Sequence, residues 1–251
     1  MLILTMAAGP GLSNALHEAV AAELRSWTQQ KFGPLGCATY VVSERIPDPD
    51  IDGFSDNRGW APAGDVLVQF HFREAASEQA ALQSLDPGAL PSTVIRCCDA
   101  GRTTTFLADE VEIFASMPAD ERWSVRGGGP VKMVVANWKR PDLSYEEYLS
   151  HWSSVHADLV RVHGPAMGFG RYVQSRRVEP DADHGAALGW ASAPDGGLTE
   201  VWWTSHAAMQ VDLSSAEALA ASALFAVDEQ KFVFPERMSA FLARETRVAL
   251  H

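Results

Sequence analysis

The feature of this 251-residue sequence that most restricts its fold is a weak similarity between its two halves. Three short segments recur in the same order, at separations that drift from 131 to 135 residues: Pro10–Ser13 with Pro141–Ser144, Tyr40–Arg45 with Tyr172–Arg177, and Arg102–Glu110 with Arg237–Glu245. Small insertions in loops produce such a drift, so the pattern favours two copies of one structural unit over coincidence.

Both halves predict the same order of secondary structure, β-α-β-β-α-β. Apolar, β-branched runs bounded by turn residues predict strands at 1–8, 37–46, 65–72 and 103–115, and again at 131–140, 170–178, 199–205 and 239–250. Ser13 and Ser144 open the first helix of each half, and Glu147 forms a capping box with Ser144. Second helices are expected at about 73–85 and 206–224.

This order is that of the ferredoxin-like fold, an antiparallel four-stranded sheet with two helices on one face. The bare face of such a sheet needs a partner, which two copies in one chain supply to each other. The sequence therefore predicts an α+β protein in which two ferredoxin-like units pack sheet to sheet as a pseudo-dimeric α+β barrel. We assign residues 1–116 to the first unit, 117–130 to a glycine-rich linker and 131–251 to the second unit.

Composition and charge restrict the partners of the chain. A net charge of −12 disfavours binding to nucleic acid and to anionic membranes. The sequence contains no run of about 18 apolar residues, so it predicts no membrane span. The cysteines, Cys37, Cys97 and Cys98, have neither the even number of a disulfide framework nor a metal-binding spacing. We expect a cytoplasmic protein that is a monomer or a homodimer, because an internal duplication removes the usual reason for this fold to dimerise.

The helix at the start of the second half carries three of the eight histidines. At about 100° per residue, an apolar stripe is formed by Tyr148, Trp152, Val155 and Leu159. His156 and His163 fall on this stripe and should point inward, whereas His151 lies at its edge and should be partly exposed. Because His151 and His156 are about 140° apart on the wheel, we predict no metal site between them.

The second half resembles the EthD family of the dimeric α+β barrel superfamily. The resemblance rests on a set of short motifs: Val131-Lys132-Met133, the turn Lys139–Ser144, Tyr148, Trp152 with Val155–Val160, Arg171–Gln174, Glu200–Trp202 and Phe241. The most specific of them is the stretch W-x-x-x-H-A-x-L-V. Ala21 and Arg25 of the first half stand where the second half has Trp152 and His156, so the resemblance identifies the first half as a degenerate copy.

The resemblance implies an enzyme that acts on an aromatic or polyketide-like small molecule. The family and its neighbours include cofactor-free dehydratases, decarboxylases and cyclases, cofactor-independent monooxygenases, haem proteins and proteins with no assigned reaction. We expect a lyase without a cofactor, because placement of an acid-base group and exclusion of water suffice for such reactions. The alternatives are a cofactor-independent monooxygenase of an aromatic substrate and a non-enzymatic protein that binds a hydrophobic ligand. Haem held by one histidine also stays open.

The expected catalytic group is His156, because imidazole titrates near neutral pH and this one adjoins aromatic side chains. Tyr172 or His151 would stabilise the oxygen that becomes charged. Tyr172 has the match Tyr40 in the first half, which gives it an alternative role in sheet packing. For His163, near the end of the helix, we favour a structural role.

The expected substrate-binding residues are aromatic and polar side chains of the second half: Trp152, Tyr148, Trp202, Asn137 and Glu200. Trp202 and Trp203 are neighbours on a strand, so one should face the barrel interior and the other should lie beneath a helix. Glu200 would share the interior with Trp202 and would then need a partner or a raised pKa. Its alternative is an ordinary charge at a strand end.

Overall fold

The computed structural model describes residues 1–48, 60–61, 64–86, 88, 90–117, 129–178 and 182–250. Most of the predicted linker, 117–130, lies outside the described residues. Within the described parts, eight antiparallel strands close into a barrel, and the helices pack on its outer surface. The protein is therefore a mixed α/β structure with a closed antiparallel barrel.

The strands occupy the segments that the apolar runs predicted. Their bounds are β1 Leu2–Met6, β2 Cys37–Arg45, β3 Val66–Phe72, β4 Thr104–Ala115, β5 Val131–Asn137, β6 Arg171–Arg177, β7 Gly197–Trp203 and β8 Ser239–Ala249. The apolar, β-branched runs thus located each strand to within a few residues.

The helices are α1 Ser13–Lys31, α2 Ala75–Gln83, α3 Ser92–Cys97, α4 Tyr145–His151, α5 Ala157–His163, α6 His184–Ala187, α7 His206–Leu213 and α8 Ala216–Glu229. A π-helical segment, Trp152–His156, joins α4 to α5. The helix predicted at 206–224 is divided in two, because Ser215 caps a new helix by accepting the N–H of Ala218. None of the helices described in the structure is both long and apolar enough to span a membrane.

Around the barrel the strands follow the order β1-β3-β2-β8-β5-β7-β6-β4. Two antiparallel pairings join the halves of the chain: β2 with β8, where Thr39 lies opposite Ala249, and β4 with β6, where Ala108 lies opposite Arg177. The two halves are therefore hydrogen-bonded edge to edge. Their inward faces together form the interior of the barrel.

The barrel interior is apolar in one part and charged in another. The apolar part is a cluster that includes Ile3, Leu67, Phe106, Leu198 and Phe241. In the charged part, the fully buried Lys132 places its Nζ 2.6 Å from Glu200 Oε2 and also contacts Glu245. Gln69 Nε2 and Ser175 Oγ donate to Glu200 Oε1 at 2.9 and 3.0 Å. Buried charges are tolerated when they are paired in this way.

Glu200 thus lies inside the barrel with a cationic partner, as the first of its two interpretations required. Burial opposes the charge on Lys132, but Glu200 and Glu245 outweigh burial and raise the pKa of the lysine. Burial likewise opposes the charge on Glu200, but Lys132 outweighs it and lowers the pKa of this carboxyl. Lys132 and Glu200 are therefore both charged at neutral pH.

We expect Lys132→Met to lower the free energy of unfolding by about 3–5 kcal/mol, because it removes the fully buried ammonium group that pairs with Glu200 and Glu245. Urea titration followed by circular dichroism measures this change. The control is Lys31→Met, whose partly exposed amine lies 3.9 Å from Asp86 and should contribute about 1 kcal/mol or less. Equal stability of Lys132→Met and the parent would show that the buried network does not hold the barrel together.

Candidate functional site

The helix that carries the histidines begins as the sequence predicts. Ser144 Oγ accepts the N–H of Glu147, and the Glu147 carboxylate accepts the N–H of Ser144 at 2.8 Å, which is the predicted capping box. After α4, however, Trp152–His156 form a π-helical turn, whose hydrogen bonds reach five residues back instead of four. Such a turn accommodates one extra residue, so the buried face moves by one position along the sequence.

The π-helical turn changes which side chains face the sheet. The buried positions of this helix are Tyr148, Trp152, His156, Ala157 and Val160. Val155, which was predicted to lie on the apolar stripe, is 46% exposed, and Leu159 is only half-buried. The predicted stripe is wrong after Trp152, because it assumed about 3.6 residues per turn throughout.

The same turn directs His151 and His156 at one carboxylate. His151 Nε2 lies 2.9 Å from Asp228 Oδ1, and His156 Nδ1 lies 3.0 Å from Asp228 Oδ2. The predicted wide separation of these two rings is therefore wrong, because a π-helical turn brings residues five apart to nearly the same face. The two imidazoles and the carboxylate link α4 and the π-helical turn to α8.

Asp228 was missed by the sequence analysis, although a signal was present. It is 1% exposed and continues the buried face of α8, which consists of Ala218, Ala221, Phe225 and Asp228. This spacing of three, four and three residues is typical of the apolar face of a helix. A carboxylate at such a position must find buried partners. The prediction ended the helix at 224 and so left Asp228 off that face.

The electrostatics of the cluster determine which nitrogen of His156 carries a proton. Burial acts to raise the pKa of Asp228, but hydrogen bonds from His156 and His151 outweigh it and lower the pKa to about 2. Because an ionised carboxylate only accepts hydrogen bonds, His156 Nδ1 must donate to it. In the neutral ring, Nε2 then keeps its lone pair and is the nitrogen available as a base.

His156 lines a cavity of about 90 Å³ between the outer face of the sheet and the helices. Its wall is mostly apolar, and six of its side chains are aromatic: Trp60, Trp152, Phe169, Tyr172, Phe225 and Phe232. The Tyr172 ring lies 6.3 Å from the His156 ring, and its hydroxyl lies 3.5 Å from Thr199 Oγ1. Burial raises the pKa of Tyr172 far above its ordinary value, so the phenol stays protonated and can donate a hydrogen bond.

The cavity brings together four of the residues predicted from the sequence: His156, Trp152, Tyr172 and Asn137. Asn137 Nδ2 donates to Thr199 Oγ1 at 2.7 Å, which fixes the amide at the cavity wall. His163 is half-buried at the end of α5 and is not among the residues that line this cavity. The site therefore has one histidine in its wall and a second, His151, behind its carboxylate.

The other predicted residues lie outside the cavity. Tyr148 is fully buried behind Trp152, with ring centroids 5.5 Å apart, and belongs to the core. His151 stacks on Phe232 at 4.9 Å and reaches the site only through Asp228. Neither side chain is placed to touch a molecule bound beside His156.

Trp202 and Glu200 face the barrel interior, and their predicted place in the His156 pocket is wrong. Side chains alternate along β7, so Thr199 and Val201 line the cavity while Glu200 and Trp202 point to the opposite side of the sheet. Trp203 lies under the helices, where its Nε1 donates to the carbonyl of Met167. The sequence had predicted this division between the two tryptophans.

The site has limited room for a cofactor or a metal. Within the part of the chain that the structure describes, no group of three or more His, Cys, Asp or Glu side chains could hold a metal ion. In metal sites, a histidine that binds the metal through one ring nitrogen often donates the N–H of its other nitrogen to a carboxylate. A cavity of about 150 Å³ holds one benzene ring, however. Haem and polycyclic ligands are larger than the space of about 90 Å³ beside His156, so they would enter only if its wall opened.

We expect Asp228→Asn to remove a pH-dependent part of the stability. The pKa of Asp228 is about 2 in the folded protein and 3.8 ordinarily, so its contribution is complete above about pH 4 and is lost as pH falls towards 2. Urea midpoints of the parent and the variant, measured from pH 2 to 6, should converge at the acid end. Asp158→Asn, at an exposed aspartate of α5, is the control and should change the urea midpoint little, because an exposed ion pair contributes about 1 kcal/mol or less. A constant difference for Asp228→Asn would contradict this role.

An EthD domain is found at residues 140–236, a range that includes the π-helical turn and Asp228. No curated protein matches the chain in sequence. Similar solved structures include one named "putative monooxygenase" from Lactobacillus acidophilus NCFM, with 8% identity, a TM-score of 0.48 and coverage of 99% of this chain and 94% of that one.

Two further structures have comparable similarity. One, from Fusobacterium nucleatum, carries the same name, with 5% identity, a TM-score of 0.48 and coverage of 99% and 93% of the two chains. The other is a dye-decolorizing peroxidase from Bacteroides thetaiotaomicron, with 9% identity, a TM-score of 0.45 and coverage of 97% and 92%.

The predicted lyase reaction is wrong in the light of these comparisons. Two of the three structures are named "putative monooxygenase" and one is named a dye-decolorizing peroxidase, and none of the three is named a dehydratase, decarboxylase or cyclase. The lyase prediction assumed that one acid-base group is sufficient for the reaction. A base that forms a carbanion serves an oxygenation equally well, so the residues alone did not distinguish the two reactions.

Proposed function

We propose that this EthD-domain protein is a cofactor-independent monooxygenase of an aromatic substrate. The observation that carries the proposal is the His156–Asp228 pair in the wall of an aromatic cavity. The carboxylate orients the ring and stabilises the imidazolium that forms when Nε2 takes a proton. The substrate is therefore a compound with a weakly acidic C–H group beside its aromatic rings.

The reaction balances without a reductant. His156 removes a proton from a methylene group, and the rings delocalise the electron pair of the carbanion. The carbanion donates its electrons to dioxygen and forms a C–O bond, and the imidazolium returns the proton to the outer oxygen, which gives a hydroperoxide. Loss of the remaining methylene proton and cleavage of the O–O bond release water and leave a carbonyl. CH₂ and O₂ thus become C=O and H₂O.

The cavity wall supports each part of this chemistry. Aromatic side chains such as Trp152 exclude water from a carbanion that water would reprotonate. Tyr172 is protonated and can donate a hydrogen bond to an enolate or phenolate oxygen of the substrate. Asn137, held by Thr199, offers a second polar group at the same wall. We assign these residues to substrate positioning and His156 to proton transfer.

We also propose that the halves 1–116 and 131–251 are two ferredoxin-like copies. What supports this is the strand order, which is β4-β1-β3-β2 in the first half and β8-β5-β7-β6 in the second. The matched tyrosines, Tyr40 and Tyr172, lie on the second strand of each half. Because the barrel closes within one chain, a second chain is not needed to complete it.

Replacement of His156 by alanine should lower kcat for oxygen consumption by about 10²- to 10⁴-fold, the usual contribution of a general base. The probe is anthrone, a tricyclic ketone with an acidic methylene group, and an oxygen electrode records uptake above the uncatalysed rate. The matched control is His163→Ala on the same helix, which should leave kcat unchanged because His163 does not line the cavity.

Oxidation under labelled dioxygen distinguishes a monooxygenase from a protein that only binds the ligand. With ¹⁸O₂ the product anthraquinone should contain one labelled oxygen, and hydrogen peroxide should not accumulate. Anthrone binding without oxygen consumption would support the hydrophobic-ligand alternative and contradict the proposal. Equal rates in the parent and His156→Ala would remove His156 from the mechanism.

A further inference from the structure

A second apolar cavity, of about 410 Å³, adjoins the cavity that His156 lines. It lies between α7, α8 and the end of β7, and its own wall includes Trp203, Met209, Leu213 and Ala218. Among the residues that the structure describes, none that lines it carries a charge, and its polar side chains include Gln210, Ser214 and Ser222. We call it the outer cavity, and the one beside His156 the inner cavity.

Four residues line both cavities: Met133, Met167, Phe169 and Ser222. The two spaces are therefore adjacent and share part of their wall. Methionine has three rotatable bonds and an adaptable thioether, so Met133 and Met167 can turn aside at low cost. The wall between the cavities is one that a bound molecule can open.

The volumes indicate how a ligand would use the two spaces. The inner cavity, at about 90 Å³, is smaller than the cavity of about 150 Å³ that holds one benzene ring. A ring beside His156 must therefore displace part of the wall, and the outer cavity offers the adjoining apolar space. At its rim Leu219 is 62% exposed, so the outer cavity is accessible from the surface.

We propose that the substrate carries an extended alkyl substituent that passes between Met133 and Met167 and occupies the outer cavity. This inference rests on the proposed function, because it takes the inner cavity as the place where the ring reacts. The acidic group lies beside His156, and the alkyl chain replaces water along Leu213 and Met209. The protein then selects its substrates by the length of this alkyl chain.

Equilibrium binding of a homologous series tests the proposal without any turnover. The probes are 4-alkylphenols from 4-methylphenol to 4-hexylphenol, and isothermal titration calorimetry under nitrogen gives their dissociation constants. Burial of each added methylene should tighten binding by roughly fourfold until the outer cavity is filled. Dissociation constants that do not depend on chain length would overturn the proposal.

Two variants narrow the outer cavity alone. Leu213→Trp fills it from one side, and Ser214→Phe fills it from an exposed position that the fold tolerates. In both, 4-methylphenol should bind as in the parent, whereas the gain with chain length should disappear. Leu224→Trp, at an exposed leucine of α8 that lines neither cavity, is the control and should keep the full gain.

A gain with chain length that persists in both narrowing variants would also overturn the proposal. Failure of the proposed function gives a different result. The protein would then consume no oxygen with anthrone, while the dissociation constants of the alkylphenols would still fall with chain length. Loss of the chain-length effect with intact oxygen uptake would reject only the alkyl substituent.

Discussion

The carboxylate of Asp228 is the point at which two separate parts of the second half meet. It lies on α8 and accepts hydrogen bonds from His151 and His156, which stand at either end of the π-helical turn. A uniform α-helix would turn these two rings to different faces. The ionic cluster and the helical irregularity therefore depend on each other, and the cavity between helix and sheet depends on both.

The fold separates this cluster from a second charged system. Alternation along β5 and β7 directs Lys132 and Glu200 into the barrel, while Asn137 and Thr199 face the helices and the cavity. The interior charges are paired with one another, whereas Asp228 accepts hydrogen bonds from two imidazoles. The Lys132–Glu200 pair and the Asp228 cluster thus lie on opposite sides of one sheet.

The sequence predicted the strands well because each is an apolar, β-branched run bounded by turn residues. Side chains along a strand also alternate between its two faces. The same rule divided Trp202 from Trp203, but it could not say that the ligand cavity lies on the helix side, so Trp202 and Glu200 were placed in the wrong pocket. For the helix, the prediction assumed about 3.6 residues per turn throughout. A single π-helical turn was enough to misplace Val155.

His156 was found from a motif and its chemistry, but its carboxylate partner is 72 residues away and no local period indicated the contact. The most direct test of this pairing is the tautomer of His156, measured by long-range ¹H–¹⁵N NMR with His156→Gln to assign the signals. The hydrogen bond to Asp228 predicts a neutral ring protonated at Nδ1, with Nε2 free as the base. A ring protonated at Nε2 at neutral pH would contradict the proposed role of His156.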